Sequence, residues 1–174
     1  MLPFDTIDYL KDGTTVQQNA RKVLDENRIM LSLHAYTPIL AGTIPLNINV
    51  DGSDLDILCC FDDEGEFAAS LETSFSEHEG FILHRKKIAG IPTTIANFFV
   101  GGFEIEVFGQ PIPVKEQNGY RHMIIEHQIL EEKNEAFRLE VISLKESGMK
   151  TEPAFAKLLG LEGEPYQALL RYKI

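Results

Sequence analysis

The run 51-DGSDLDILCC-60 sets Asp54 and Asp56 two positions apart at the mouth of a segment that is otherwise apolar. In an extended strand, residues two apart face the same way, so both carboxylates look toward one shared object while Leu55 and Ile57 take the other face. Two anions held that close repel. Unless one is neutralised by a proton or a base, the usual resolution is a bound divalent cation. A later run, 103-FEIEVFG-109, repeats the arrangement, with Glu104 and Glu106 on one face and Ile105 and Val107 on the other. If that strand lies beside the first, a third carboxylate joins the pair. Ahead of both, the short apolar run 39-ILAG-42 delivers its end to Gly42-Thr43. The glycine lets backbone approach a ligand closely, and the threonine offers it a hydroxyl. Three carboxylates beside such a loop are the ingredients of a site in which Mg²⁺ holds a nucleoside triphosphate for in-line displacement.

These side chains need a scaffold. Residues 14–28 place Val16, Ala20, Val23 and Leu24 on one face after a threonine start signal, which predicts an amphipathic helix. The segment 29–42 predicts a continuing helix or short turn and then a brief strand. A second strand covers 54–61, and 62-DDEGEFAASLETSFSEHEG-80 predicts a helix with an acid-rich start, closed near Gly80. Strand-like runs follow at 81–88, 91–100 and 103–109, the last two separated by the hairpin signal Gly101-Gly102. From Gln117 onward the period turns helical, in segments ended by Gly148 and Gly160, and 151-TEPAFAKLLG-160 opens with a Thr cap. The expected class is therefore α+β: a small mixed or antiparallel sheet with flanking helices and a C-terminal helical tail. The length of 174 residues suits a single domain over 1–174, with its core at about 14–110 and its helical part at about 115–174.

Composition narrows the function. Apolar residues make up 44% and charged residues 25%, values of an ordinary soluble globular chain. A net charge of −11 argues against broad electrostatic binding to long nucleic acid or to an anionic membrane surface. No apolar run has the length of a membrane span, and the N-terminal MLPFDTIDYLKDG carries acids where a signal peptide would carry lysines, so a cytoplasmic location is expected. Cys59 and Cys60 are strand neighbours that point to opposite faces, which suits core packing and gives no metal-ligand spacing.

Gly42-Thr43, a spacer ending in Ser53, and Asp54-Leu55-Asp56-Ile57 together resemble the signature of the DNA polymerase β-type nucleotidyltransferase superfamily: a glycine followed by Ser or Thr, then Asp-hydrophobic-Asp. That superfamily carries its third metal-binding acid on a later strand between hydrophobic residues, and the match here is Ile105-Glu106-Val107, with Glu104 as the alternative. More of the chain, in LAGTIPL, SDLDI, EVFGQ, YRHM and KTEPAFAKLL, resembles a bacterial branch of minimal nucleotidyltransferase-like proteins of unknown function. The resemblance implies transfer of a nucleoside monophosphate from an NTP to a hydroxyl acceptor. It implies Mg²⁺ or Mn²⁺ on Asp54, Asp56 and Glu106, with Gly42, Thr43 and Ser53 cradling phosphates. The acceptor, whether small molecule, protein or RNA end, is left open. The loop carries Thr43 where the superfamily more often has Ser, and the third acid is Glu rather than Asp, which lengthens its reach.

Other readings compete. DGSD alone is turn chemistry, which explains Asp54 but not Asp56 deeper in the strand. 47-NINVDG-52 mimics the first half of an EF-hand, yet the twelfth position, where a bidentate Glu is required, is Leu58. A glycosidase could use two carboxylates, but the chain has no Trp for sugar stacking. Glu104 and Glu106 also fit the solvated face of an edge hairpin. Arg121 and His122, near a helix start, could meet triphosphate oxygens or simply cap and solvate that end. Arg85, Lys86 and Lys87 form a basic cluster at a strand end, and His34, His78, His84 and His127 show no ligand spacing. The rival from a different class is an inactive nucleotide-binding, regulatory or partner-binding module of the same fold.

Overall fold

The structure, a computed structural model, describes residues 3–173. Its elements begin where local chemistry favours them. Helix α1 (Thr15–Glu26) opens on a capping box: the Gln17 N–H donates to the Thr14 hydroxyl, and the Thr14 N–H donates back to Gln17 Oε1 at 2.9 Å. Its buried stripe is Ala20, Val23 and Leu24. A single turn, α2 (Ile29–Ser32), leads to the three-residue strand β1 (Ile39–Ala41) and then to β2 (Leu55–Cys60). Helix α3 (Glu64–Phe75) starts at Asp63, whose side chain accepts the Glu66 N–H at 2.8 Å.

That helix ends at Phe75, short of the end expected near Gly80. Phe75 is the last residue of its buried face, Ser76 and Glu77 are exposed, and His78 lies half-buried beyond the helix with its ring stacked on Phe98. Gly80 instead stands at φ +68° near the start of β3 (Glu79–Ile88), where the pairing register shifts between Glu79 and Ile82. Strands β4 (Ile91–Val100) and β5 (Phe103–Gln110) form the expected hairpin, turned by Gly101 and Gly102 at φ +58° and +85°. The helical remainder is α4 (Asn118–Glu132), α5 (Glu135–Glu146), α6 (Thr151–Leu159) and α7 (Pro165–Leu170). The N-cap of α6 is Lys150 with no side-chain cap bond, so Thr151 is the first helical residue rather than the cap. Among the described residues, no helix is long and apolar enough to cross a membrane.

The described strands form one five-stranded sheet in the order β1-β2-β5-β4-β3. Only β2 and β5 run parallel, so the sheet is mixed, and the purely antiparallel alternative is set aside. Parallel neighbours need a long crossover, which α3 and the β3–β4 pair supply. The register places Asp56 opposite Glu106, with Ala41 beside Asp56 and Asn97 beside Glu106.

Strand alternation divides the interior in two. Leu55, Ile57 and Cys59 join Ile105, Val107 and Phe98 on the face covered by α1 and α3, with Leu24, Phe67 and Phe75. Leu58, Ile39 and Ala41 face the other way, against Met123, Val141 and Phe155 of α4, α5 and α6. Asp54 and Asp56 share that second face, at the place where the helical layer leaves an opening.

Close packing on the first face predicts one large local effect. A Cβ added at Gly109 would lie 2.1 Å from Cε1 of Phe67, a ring that is fully buried. Gly109→Ala is expected to lower unfolding free energy by about 1–3 kcal/mol in urea titration, because neither the ring nor the strand has room to yield.

Candidate functional site

The row Ala41, Asp56, Glu106, Asn97 sets out the site before any loop is considered. Ala41, Asp56 and Glu106 of that row line a cavity of about 470 Å³, whose walls also include Gly42, Thr43, Asp54, His122, Glu126 and Glu152. A neighbouring cleft of about 320 Å³ shares Thr43, Asp54, Lys150 and Thr151 with it and adds Ser53 and Lys145. Both volumes suit small-molecule sites.

The loop after β1 is pinned from beneath. Buried Gln17 donates from Nε2 to the carbonyls of Ile44 at 2.9 Å and Pro45 at 3.2 Å, and the Ile48 N–H closes the loop onto the Thr43 carbonyl at 3.1 Å. Gly42 stands at φ +82°, and a Cβ there would come 2.2 Å from Asp56 Oδ2. Gly42→Ala therefore combines two effects. The left-handed backbone costs an alanine about 1–2 kcal/mol, read in a denaturation curve, and the methyl displaces the Asp56 carboxylate, read as weaker Mg²⁺-dependent nucleotide binding by calorimetry.

The electrostatics centre on Asp56. Burial pushes its carboxyl up to about 8, and the charges of Asp54, Glu106 and Glu152 push in the same direction, with Lys145 opposing. Glu106 is also raised, chiefly by burial, and the Asn97 amide hydrogen bond to it pulls the other way. Asn97 Nδ2 donates to Glu104 Oε1 at 3.3 Å and to Glu106 Oε2 at 3.4 Å. Only Glu106 of that pair lines the cavity.

Most residues singled out in the sequence meet here. Gly42, Thr43, Asp54, Asp56, Glu106 and His122 line the cavity, and Ser53 lines the adjoining cleft, its Oγ accepting the Val50 N–H at 2.9 Å. Arg121 does not join them: it is exposed and donates to Asn118 Oδ1 at 3.2 Å on its own helix. Arg85 is engaged away from the cavity, donating to Glu64 at 2.9 Å.

Several residues escaped the sequence reading. Glu126 is 4% exposed on α4. It carried one signal, an acid at helical spacing between Met123 and Ile129 where the period calls for an apolar residue. Lys145, Lys150 and Glu152 carried none. Lys145 is half-buried, donates from Nζ to the Ile48 carbonyl at 2.7 Å, and is pushed down to about 8 by burial.

The site's fitness for a metal rests on donor chemistry. Asp54, Asp56 and Glu106 offer hard oxygen ligands, the set that Mg²⁺ prefers, and Asp56 is a poorly hydrated carboxylate crowded by like charges. Among the described residues, no three His, Cys, Asp or Glu side chains are gathered into ligating geometry as they stand. The residue types suit a divalent cation, and their positions would have to close around it.

Several solved structures share this arrangement of sheet and helices. The MgGTP-bound Cid1 poly(U) polymerase superposes with a TM-score of 0.52 at 16% identity, over 74% of this chain and 41% of that one. The polymerase core of TRAMP, an RNA surveillance complex, gives 0.53 at 13% identity, over 90% and 48%. A chain of the GLD-2/RNP-8 complex gives 0.53 at 12% identity, over 88% and 63%. This chain thus shares the nucleotidyltransferase fold of these neighbours, and spans only 41% to 63% of the length of these three. It belongs to the family described as Domain of unknown function (DUF4269), whose model matches residues 22–172. No curated protein matches its sequence significantly.

Proposed function

We propose that this chain is a nucleotidyltransferase that moves a nucleoside monophosphate from a nucleoside triphosphate to a hydroxyl acceptor. The observation that carries the reading is the parallel register of β2 and β5, which puts Asp56 opposite Glu106 with Asp54 on the same cavity and the Gly42-Thr43 loop at its edge. Asp54, Asp56 and Glu106 are the residues that would hold Mg²⁺, which when bound offsets their charge and that of the phosphates.

The remaining work falls to the chain itself. Gly42 leaves backbone free to approach phosphate, Thr43 and Ser53 offer hydroxyls, and Lys145 and Lys150 supply positive charge along the adjoining cleft. With the triphosphate laid along that cleft, its α-phosphorus comes to the carboxylate row. An acceptor oxygen bonds to that phosphorus, the bond to the β-phosphate oxygen breaks, and pyrophosphate leaves with the electron pair. The hydroxyl proton passes to a carboxylate of the cavity wall. The net charge of −11 favours a compact acceptor over a long nucleic acid.

The test is a calorimetric titration with ATP, GTP, CTP and UTP, with Mg²⁺ present and then chelated, followed by a pyrophosphate-release assay. Binding that needs the metal is expected for at least one nucleotide, and binding of none would overturn the proposal. The spread of the three carboxylates favours, as the second reading, a module that binds nucleotide without turnover. Saturable binding with no pyrophosphate release under any acceptor would select it.

A further inference from the structure

The cavity carries more acid than nucleotide transfer uses. Asp54, Asp56, Glu106, Glu126 and Glu152 all line it, against Lys150 as the only Lys or Arg among its lining residues. If three of those carboxylates serve a metal, Glu126 and Glu152 are left on the opposite wall, which α4 and α6 build.

Glu126 is the unusual member. It is 4% exposed, and its Oε1 is fully buried without a hydrogen-bond partner. Burial, and then the charge of Glu152, push its carboxyl up to about 8. No Lys, Arg or His comes within ion-pairing distance of it among the described residues, and Lys145, whose charge acts on it, spends a donor on the Ile48 carbonyl. A buried carboxylate left this way is costly unless a cation or a donor arrives to meet it.

Its neighbours are held in place for such an arrival. His122, one turn earlier on the same helix, is anchored through Nε2 to the Tyr166 carbonyl of α7 at 3.0 Å. Its Nδ1 lies 3.5 Å from Glu152 Oε1, at the edge of the cavity. Phe108, Leu58 and Met123 supply the apolar lining between this wall and the carboxylate row.

We infer that Glu126 and Glu152 form an acceptor subsite that holds the ammonium group of a small hydroxylated amine. The inference rests on the nucleotidyltransferase reading, since it names the acceptor class of the same cavity. The ammonium replaces the counterion that the protein does not supply, and the hydroxyl of the same molecule reaches across the apolar lining toward the carboxylate row. A polyanionic acceptor, such as an RNA end, would bring its phosphates against this wall and be repelled.

The test uses the full chain with Mg²⁺ and the best-binding nucleotide from the titration above. Three probes are compared by calorimetry: 2-deoxystreptamine, a cyclitol bearing both amines and hydroxyls; myo-inositol, the matched ring with hydroxyls alone; and oligo(U) RNA. The amine is expected to bind at least about tenfold more tightly than the inositol and the RNA, and about tenfold or more is expected to be lost in Glu126→Gln, where a charge-assisted contact becomes a neutral one. Glu152→Gln, at a partly exposed position, should weaken the amine in the same direction and guards against a Glu126→Gln protein that fails to fold. Equal binding of amine and inositol, preference for the RNA, or full amine binding by both variants would overturn the inference. Nucleotide binding by the wild-type protein is a separate readout: amine binding without it sinks the transferase reading and with it the acceptor role, leaving an amine site alone, and nucleotide binding without amine selectivity sinks only the subsite.

Discussion

Asp54→Ala and Asp56→Ala proteins are expected to stay folded and to lose nucleotide transfer by about a thousandfold or more, a loss of about 4 kcal/mol in transition-state stabilisation. The two carboxylates stand on one cavity with Glu106, so no neighbour replaces either. Asp56 is the more informative position, because function and stability should move in opposite directions there. In the metal-free protein its carboxyl is crowded by Asp54 and Glu106 and buried from water. Removing the charge with Asp56→Asn relieves that crowding, so the variant should resist urea better than the wild type at pH 8 while losing Mg²⁺-dependent turnover. Such a trade is what a site assembled for a ligand produces when the ligand is away. A variant that keeps turnover, or one that is less stable than wild type at pH 8, would count against the assignment.

The second large effect is a fall in stability with rising pH in chelated protein. Asp56 is raised from an ordinary value of 3.8 to about 8, and Glu126 from 4.5 to about 8. Between those limits the folded chain keeps protons that the unfolded chain has released. Stability therefore declines as pH climbs through that window, by about 1.4 kcal/mol per pH unit for each proton so held. Lys145 acts in a different range: lowered from 10.5 to about 8, it makes stability rise with pH only above that point. Urea midpoints measured from pH 5 to pH 8 should fall steadily for the wild type, and less steeply for Asp56→Asn and for Glu126→Gln. Added Mg²⁺ should lift the midpoint most at the alkaline end, where the carboxylates are ready to take it. A flat profile would mean that both carboxyls are already ionised and compensated.

The threonine start of α1 and the glycine hairpin between β4 and β5 are legible in the sequence because their causes lie within a few residues. The end of α3 was misplaced because Gly80 is as much a bulge residue as a helix stop, and only the buried face ending at Phe75 decides which. Arg121 and His122 are adjacent in sequence, yet one is exposed and the other lines the cavity, since successive residues of a helix point about 100° apart and the packing of α4 chooses the face.

By itself, the sequence determined that Asp54 and Asp56 share a face, that Glu104 and Glu106 share another, and that a glycine turn precedes them, because side-chain alternation and turn geometry are local properties of the backbone. Only the tertiary structure decided that β2 and β5 pair in parallel so that Glu106 stands opposite Asp56, and that α4, α5 and α6 bring Glu126, Lys145 and Glu152 to the same place. Strand partnership and helix docking are settled by burial between segments far apart in the chain, and no local pattern encodes which distant residue will be the neighbour.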